Sequence, residues 1–425
     1  MNPMRISNPA DRLHRLINIQ TAGLALVAVM ALLLFGCAAP PKPPPAPPGA
    51  EVPPPMVQIE PSAYPDFSDD LDFEGLERGI SQSIVYLQAQ PPGREFEFGR
   101  DRYTAAHLLL TLQRFQGFIR NRPSGADLQK YIHAFYRVYR SVGRDQKGEV
   151  LFTGYYEPQL KGRRSTGPDC RYPIYGRPED LLSIDLGAFA EKYKGDKIIG
   201  RVQNGVVVPY HDRRDIDEAG ALYGKAPTLA WVSDPVELFF LHIQGSGRVV
   251  LEDGQTLVVG YDSSNGRPYR SIGQLLIDEG RISREEMSMQ RIRGYLNQHP
   301  GEIQRVLNHN PSYIFFKVTP DGPLGSLNVK LTPGRSVALD RRIFPPSALT
   351  FVATQKPLSD GMGKATSWVD LRRFMLNQDT GGAITGAGRA DLFWGSGPYA
   401  ELAAGHLKHP GTLYFLVLRP DAASP

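Results

Sequence analysis

The sequence has few cysteines, no large excess of either charge and no apolar run long enough to span a bilayer. Its 425 residues include only two cysteines, Cys37 and Cys170, too few for a disulfide framework or a four-ligand structural zinc site. A formal net charge of +4 without long basic runs argues against nucleic acid as a partner. With 41% hydrophobic and 22% charged residues, the chain is predicted to be globular.

The N-terminus has the pattern of a bacterial secretory signal. Arg5, Arg12 and Arg15 precede an apolar run of 14 residues at 22–35, which is shorter than the roughly 20 residues that cross a bilayer. The run ends in LFGC, which resembles the lipobox of bacterial lipoproteins. We therefore expect a signal peptide at 1–36, cleavage before Cys37 and acylation of that cysteine. An ordinary signal peptide with an incidental cysteine is the alternative.

A proline-rich segment follows directly. Residues 40–55 contain ten prolines and cannot pack a core. In the extended polyproline conformation, at about 3.1 Å per residue, they would hold a folded body roughly 50 Å from its anchor. We predict a tether at 37–62.

The folded body is predicted to open with two helices. Apolar residues at 105–119 and again at 128–138 recur with the 3.6-residue period. Pro123 separates the two segments, and Ser124 followed by Asp127 is a typical N-cap signal for the second one. We interpret these helices as packing elements.

From Leu151 onward the pattern changes to short β-type runs between Gly and Pro. The apolar run at 236–243 predicts a strand buried on both faces, and Asp253-Gly254 predicts a hairpin turn. Further strands are predicted at 313–318, 336–339, 348–353, 374–376, 392–394 and 413–418, and helices at 272–278 and 285–297. This pattern predicts a barrel or paired-sheet body.

The densest candidate for chemistry is DTGGAITG at 379–386, followed by DLFWG at 391–395. The glycines allow backbone or ligand to approach two carboxylates closely. A carboxyl at Asp391 held against Phe393 and Trp394 would be partly desolvated, which raises its pKa toward values useful to a general acid. Turn and cap hydrogen bonds are the commoner fate of an aspartate near glycines.

Two further clusters supply polar and aromatic groups. FTGYYEP at 152–158 offers hydroxyls and rings typical of sugar-binding grooves, and HIQGSGR at 242–248 offers an amide, a hydroxyl and backbone N–H groups. His242 lies in an apolar run, where a hydrogen-bonded core histidine is commoner than a catalytic one.

Together these clusters resemble the membrane-bound lytic murein transglycosylase A family of periplasmic lipoproteins. The resemblance extends from about Leu151 to Leu418 and includes NPSYIFFK at 310–317 and LTPGRSVALD at 331–340. It implies a mainly β protein with α segments, in which a double-psi β-barrel catalytic domain carries a smaller inserted β-rich domain and follows N-terminal helices. On this chain we expect the helical part and the start of the barrel at 63–158, the insert at 159–241 and the rest of the barrel at 242–420.

The resemblance also implies roles for single residues. Asp391 matches the single catalytic acid/base, and Asp379 matches an aspartate that shapes the same site; both are expected at catalytic positions. The remaining matches are expected at substrate-binding positions: Thr153, Tyr155, Gln244, Ser246, Gly247 and Asp340. No metal or cofactor is expected, and His406 with His409 alone does not complete a metal site.

The chemistry implied by the resemblance needs one carboxyl group. An ordinary glycosidase uses two, one of them as nucleophile or as base for water. A lytic transglycosylase instead lets the C6 hydroxyl of N-acetylmuramic acid attack its own anomeric carbon, which leaves a 1,6-anhydro end. The resemblance thus implies a peptidoglycan lytic exotransglycosylase, although the residues themselves do not decide between cleavage at chain ends and in the middle.

The resemblance implies peptidoglycan strands as substrate, a lipid anchor at Cys37 and the periplasmic face of the outer membrane; other cell-wall enzymes are further candidate partners. The alternative from another class is a lipoprotein that binds peptidoglycan without cutting it, on an expansin-like barrel. An aspartic protease would need a second Asp-Thr-Gly or Asp-Ser-Gly besides Asp379-Thr380-Gly381, and the sequence has none.

Overall fold

A computed structural model describes residues 53–144, 146–320, 322–360 and 365–423. The predicted signal peptide, Cys37 and most of the predicted tether lie outside the described residues. Within the described residues, no helix combines the length and the apolar character that crossing a lipid bilayer requires.

The described residues form a mainly β structure with short helices. In chain order, the strands are β1 (Met56–Ile59), β2 (Glu95–Phe98), β3 (Asp101–Thr104), β4 (Tyr136–Ser141), β5 (Val150–Glu157), β6 (Gln159–Arg163), β7 (Tyr172–Tyr175), β8 (Leu182–Asp185), β9 (Lys197–Gln203), β10 (Val206–Pro209), β11 (Thr228–Val232), β12 (Ser246–Leu251), β13 (Thr256–Ser264), β14 (Ile314–Val318), β15 (Ser336–Ala338), β16 (Leu349–Ser359), β17 (Ala365–Asp379), β18 (Arg389–Ser396) and β19 (Lys408–Leu418). The helices are α1 (Leu76–Gln88), α2 (Ala105–Ile119), α3 (Gly125–Phe135), α4 (Arg213–Asp217), α5 (Pro235–Gln244), α6 (Ile272–Asp278), α7 (Met289–Gln298), α8 (Ile303–Asn308) and α9 (Pro398–His406).

Six strands close into a barrel. Around the ring they follow the order β5, β19, β16, β17, β15 and β18, and β18 pairs with β5 to complete it. The pairs β15–β17 and β18–β5 are parallel, and the other pairs in the ring are antiparallel. β4 and β1 extend the sheet outward from β19. The predicted fold class, a mainly β protein built on a closed barrel with α segments, is confirmed.

The main hydrophobic core lies inside the barrel and beneath α1 and α2. Leu112 and Phe115 of α2 are buried there, and the ring of Phe115 lies 5.0 Å from that of Phe374 on β17. Burying an aromatic side chain of this kind contributes about 1.5–3 kcal/mol. The last six residues of β19 are all buried, because the barrel covers one face of the strand and α2 packs against the other.

The N-terminal segment is fixed to the barrel by buried charges. The Arg335 guanidinium donates hydrogen bonds of 2.6 and 2.8 Å to the two carboxylate oxygens of Asp69, and both side chains are almost fully buried. Arg335 also donates to the backbone oxygens of Glu74 and Phe374. The pair therefore holds the chain before α1 against β15 and β17.

A second sheet is built from strands that lie between β5 and β15 in the sequence. Its six strands follow the order β14, β13, β12, β6, β11 and β7, with β12 parallel to β6. The predicted hairpin at Asp253-Gly254 is confirmed, since β12 and β13 pair on either side of it. β8, β9 and β10 form a separate three-stranded sheet. The second sheet therefore takes strands from beyond residue 241, the predicted end of the insert.

The apolar run at 236–243 corrects one prediction. It forms helix α5 and not a strand, since Asp234 accepts hydrogen bonds from the N–H groups of Val236 and Glu237 and Pro235 occupies the first turn. Val236, Phe239 and Phe240 pack among the other helices, whereas Leu238 and Leu241 face the second sheet. Burial on all sides removes the helical period from the sequence, so that the run looks like a buried strand.

The N-terminal part of the folded body contains the two predicted helices and an additional strand, β1, before them. α2 covers the first predicted segment, and Ser124 accepts the N-cap hydrogen bond from the Asp127 N–H as expected. α3 ends at Phe135, so the prediction of helix is wrong for residues 136–138, which begin β4. β1 pairs with β4, so residues 56–59, within the predicted tether at 37–62, pair with the barrel sheet. The other predicted domain limits stay predictions.

Candidate active site

Three neighbouring barrel strands bring two carboxylates together. Ala338 on β15 pairs with Asp379 of β17 on one side and with Asp391 of β18 on the other. Asp391 in turn pairs with Thr153 of β5. Directly paired residues project to the same face of a sheet, so Asp379, Asp391 and Thr153 share one face of the barrel.

Asp391 is partly buried and close to groups that act on its proton affinity in opposite directions. Burial raises the pKa of its carboxyl group to about 6, and the nearby charge of Asp379 adds to this rise. A hydrogen bond of 2.6 Å from the Thr153 hydroxyl to Oδ1 and the positive charge of Arg389 oppose it. A carboxyl group with such a pKa can release a proton and recover it near neutral pH.

The aromatic neighbours of Asp391 lie on opposite faces of β18. Phe393 lies on the same face as Asp391, where it is buried with Tyr155 and Ala338. Trp394 lies on the other face and packs so closely on Gly154 that no side chain would fit there. Of the two rings expected to desolvate Asp391, only Phe393 shares its face, because side chains alternate along a strand.

Asp379 is held by three donors. The backbone N–H groups of Ser326 and Thr380 donate to its Oδ1 at 2.9 and 2.8 Å, and the Tyr155 hydroxyl donates to its Oδ2 at 2.9 Å. Burial raises the pKa of Asp379, and these hydrogen bonds partly offset the rise. Burial also keeps the pKa of Tyr155 well above its usual value, so the phenol remains a donor. Asp379 is therefore fixed in position within the site.

Asp340 is in a different electrostatic state. Its carboxylate accepts hydrogen bonds of 2.9 and 2.7 Å from the Arg342 guanidinium and one of 2.8 Å from the Gly386 N–H. The bonds to Arg342 are the main reason that the pKa of Asp340 falls to about 2. The group is therefore ionised at neutral pH, and it ties the glycine-rich loop at 380–386 to the end of β15.

A cleft of about 820 Å³ runs past these side chains. We call it the main cleft. It is lined by residues of the barrel and of the second sheet, among them Tyr155, Gln244, Ser246, Asp340, Asp379 and Asp391. A cleft with several convergent polar groups and a carboxyl of raised pKa is the usual form of an active site.

Two residues predicted to bind substrate lie away from the wall of the main cleft. Thr153 lines a smaller cavity that adjoins it. Gly247 packs against Leu241 and the Pro158 carbonyl so tightly that a side chain would clash, so its small size serves packing. Gln244 lines the main cleft, but its Oε1 already accepts a hydrogen bond of 2.9 Å from the Tyr156 N–H.

His242 has the surroundings predicted for a core histidine. It is 5% exposed, and its Nδ1 lies 3.1 Å from a guanidinium nitrogen of Arg213. Burial and that positive charge lower its pKa well below the usual value, so the ring is neutral. The part of the chain that the structure describes contains no group of three or more His, Cys, Asp or Glu side chains arranged to hold a metal ion.

Two contributors to the site have no assigned role in the sequence prediction. Arg389 stands in the predicted cluster and contacts the site directly, with a guanidinium nitrogen 3.4 Å from the Thr153 hydroxyl. Its position two residues before Asp391 on the same strand could have indicated this, since alternate residues share a face. Ser326 donates its backbone N–H from a distant loop, and its side chain also acts on Asp379; no sequence signal marks it.

The chain is similar to proteins of known family. Residues 151–317 match the MltA specific insert domain, and residues 335–417 match the 3D domain. Over 296 residues the chain is 33% identical to membrane-bound lytic murein transglycosylase A of Escherichia coli (strain K12), covering 68% of this chain and 71% of that protein.

Solved structures agree with these matches. A membrane-bound lytic murein transglycosylase from Agrobacterium tumefaciens has a TM-score of 0.70 and 31% identity, covering 86% of this chain and 98% of its own. The structure of E. coli MltA with bound chitohexaose has a TM-score of 0.65 and 28% identity, covering 86% of this chain and 95% of its own.

Proposed function

The chain belongs to the membrane-bound lytic murein transglycosylase A family, and on this premise we propose that it cleaves the β-1,4 bond between N-acetylmuramic acid and N-acetylglucosamine with Asp391 as its single acid/base. As a member of this family, the chain is a peptidoglycan lytic transglycosylase. The observation that supports the proposed role of Asp391 is a partly buried carboxyl group with a pKa of about 6 in the wall of a large cleft.

The first step is protonation of the leaving group. Asp391 gives its proton to the glycosidic oxygen as the bond from that oxygen to C1 of N-acetylmuramic acid breaks. The N-acetylglucosamine side leaves with a free 4-hydroxyl group, and positive charge develops at C1. Asp391 is then a carboxylate, stabilised by the Thr153 hydroxyl and the nearby charge of Arg389.

The second step closes the ring and restores the acid. The C6 oxygen of the same N-acetylmuramic acid bonds to C1, and the Asp391 carboxylate takes the proton from that hydroxyl. The product carries a 1,6-anhydro bridge, and no water or enzyme nucleophile is consumed. One carboxyl group therefore acts as acid and then as base.

The state of the other two aspartates supports a single acid/base. Both oxygens of Asp379 accept hydrogen bonds from fixed donors, and Asp340 is ionised by its bonds to Arg342 and Gly386. A hydrolase would need a second carboxylate free to act on water or on C1. We assign to Asp379 a positioning role, since it orients Tyr155 and its charge raises the pKa of Asp391.

We propose that the glycan strand occupies the main cleft. Tyr155, Gln244 and Ser246 line it from two sides. The bound chitohexaose in the E. coli relative, an oligomer of N-acetylglucosamine, supports a glycan in the corresponding cleft of this chain. Asp340 contributes by fixing the loop that forms one wall, and Gly247 by allowing the close packing behind Ser246.

We further propose that Cys37 carries the lipid anchor, which places the protein at the periplasmic face of the outer membrane. The lipobox-like LFGC, the preceding basic and apolar segments and the proline-rich tether support this location. Cys37→Ser should release the protein into the soluble periplasmic fraction, and retention of the variant in the outer membrane would contradict the proposal.

The products of digestion test the proposed reaction. Purified sacculi are incubated with the protein, and the released muropeptides are identified by mass spectrometry. Anhydromuramic ends, 18 mass units lighter than the hydrated ends because no water is added, support the transglycosylase. Ordinary reducing ends would show a hydrolase, and unchanged sacculi would favour the lipoprotein that only binds peptidoglycan.

A further inference from the structure

A second cavity of about 250 Å³ adjoins the main cleft at the proposed acid. It shares five lining residues with the main cleft: Tyr155, Ile243, Gln244, Arg389 and Asp391. Its own wall comes from Leu151, Thr153, Gly154, Met287, Met289 and residues 404–408 at the end of α9 and the start of β19. Asp391 therefore lies at the junction of a large cleft and a small side cavity.

The second cavity is positively charged. Lys408 pairs with Thr153, which pairs with Asp391, so Lys408 projects from the same barrel face about 10 Å away, two strand spacings from the acid. Lys408 is exposed, and its ammonium group has no ion-pair or hydrogen-bond partner among the described residues. Arg389 adds a second cation, and among the described residues that line this cavity Asp391 carries the one carboxyl group.

The second cavity also has an apolar part to its lining. Met287 precedes α7, Met289 begins it, and Ile243 and Leu407 are further apolar lining residues. Methionine side chains adapt their shape to small apolar groups. A lining that combines cationic and apolar side chains suits a group with a methyl and a carboxylate better than it suits a sugar ring, which is uncharged and rich in hydroxyl groups.

The substrate of the proposed reaction carries such a group. N-acetylmuramic acid differs from N-acetylglucosamine by a lactyl ether at C3, which has a methyl group and ends either in a free carboxylate or in a stem peptide with carboxylates of its own. We propose that the second cavity holds this lactyl arm of the N-acetylmuramic acid at the cleaved bond, with the Lys408 ammonium paired to its carboxylate. This inference rests on the proposed function. The cavity thereby distinguishes peptidoglycan from uncharged N-acetylglucosamine polymers.

Binding measurements on the full chain with the Asp391→Asn substitution test this inference, because the turnover expected of this variant is too slow to consume the ligands. The ligands are three tetrasaccharides: chitotetraose, the alternating N-acetylglucosamine and N-acetylmuramic acid tetramer with free lactyl groups, and the same tetramer with stem peptides. Lys408→Met should weaken binding of one or both muramic ligands about three- to fivefold, as loss of an exposed ion pair does, and leave chitotetraose unchanged. The muramic ligand whose binding weakens shows whether Lys408 pairs with the free lactyl carboxylate or with a carboxylate of the stem peptide.

Two control variants accompany the measurement. Lys408→Arg keeps the charge and should keep the preference for muramic ligands, and Lys130→Met removes an exposed lysine of α3 outside both cavities and should change nothing. An unchanged preference in Lys408→Met would overturn the inference. Equal weakening of chitotetraose would also overturn it, since a sugar would then occupy the second cavity. Failure of the proposed reaction is seen separately, in the muropeptides that the unsubstituted chain releases.

Discussion

The hydroxyl of Thr153 donates a hydrogen bond of 2.6 Å to Oδ1 of Asp391, across the parallel pairing of β5 and β18. The bond favours the ionised carboxylate, whereas burial favours the neutral acid. These opposing effects leave the pKa of Asp391 at about 6. Small changes at its neighbours should therefore move the pH range in which the acid is active.

Thr153→Val should move the alkaline limb of the pH–rate profile to higher pH. The first step needs protonated Asp391, so kcat/KM falls as pH rises through about 6. Loss of a hydrogen bond to the charged form raises the pKa, by about one pH unit for a bond of this kind. Turbidity loss of sacculi at several pH values measures the profile. Thr153→Ser keeps the hydroxyl and should keep the limb in place; identical profiles for the Ser and Val variants would contradict the expectation.

Asp379→Asn should move the same limb in the opposite direction. The negative charge of Asp379 raises the pKa of Asp391, so its removal lowers that pKa and the acid form is lost at lower pH. The amide oxygen of Asn can still accept the two backbone N–H bonds, and its NH2 group can donate to the Tyr155 hydroxyl oxygen. Activity near neutral pH should fall while the activity at about pH 5 falls less. A uniform loss at every pH would mean that Asp379 acts on the substrate and not through Asp391.

Asp340→Asn should destabilise the fold in a pH-dependent manner. The folded-state pKa of about 2 lies below the ordinary value of 3.8, so the carboxylate stabilises the fold above about pH 4 and this contribution disappears as pH falls toward 2. Because Arg342 is mostly exposed, we expect a loss of about 1–2 kcal/mol at pH 7. Urea unfolding at pH 7 and pH 3 measures it. An equal loss at both pH values would show that the charge of Asp340 is not the cause.

Asp69→Ala should cost about 3–5 kcal/mol of unfolding free energy, because it leaves the guanidinium of Arg335 buried without its counter-ion. Replacing both partners, Asp69→Leu with Arg335→Met, should recover much of that loss. Asp66→Ala is the matched control, since Asp66 is exposed and lies 3.5 Å from Arg372, and its effect should stay within about 0.5 kcal/mol. If the Asp69 and Asp66 variants unfold at the same urea concentration, the buried pair does not fix the N-terminal segment.

The fold was predictable where local pattern and tertiary packing agree. The helix at 272–278 and the turn at Asp253-Gly254 follow from period and turn chemistry alone. β17 extends over 365–379, yet only 374–376 shows a strand pattern, because residues 365–370 are not buried and the buried Arg373, paired with Asp70, interrupts the apolar sequence. Such a pairing spans some 300 residues and leaves no local signal.

The sequence predicts which motifs form the site but not how their side chains are arranged. Asp379 and Asp391 stand in glycine-rich segments, and the family resemblance links both to Thr153 and Tyr155. That Ala338 brings the two carboxylates together depends on strand pairing, which the residues do not specify by themselves. The hydrogen bonds that Arg342 and Gly386 donate to the Asp340 carboxylate likewise depend on the fold and are not evident from the sequence.

The most direct test of the account is the release of anhydromuropeptides by Asp391→Asn. The amide has the shape of the carboxyl group but cannot supply the proton, so turnover of sacculi should fall by about 10²–10⁴-fold, while chitohexaose affinity and Tm stay close to those of the unsubstituted chain. A variant that binds glycan normally and still releases anhydromuropeptides at more than about a tenth of the original rate would contradict the assignment of Asp391 as the acid.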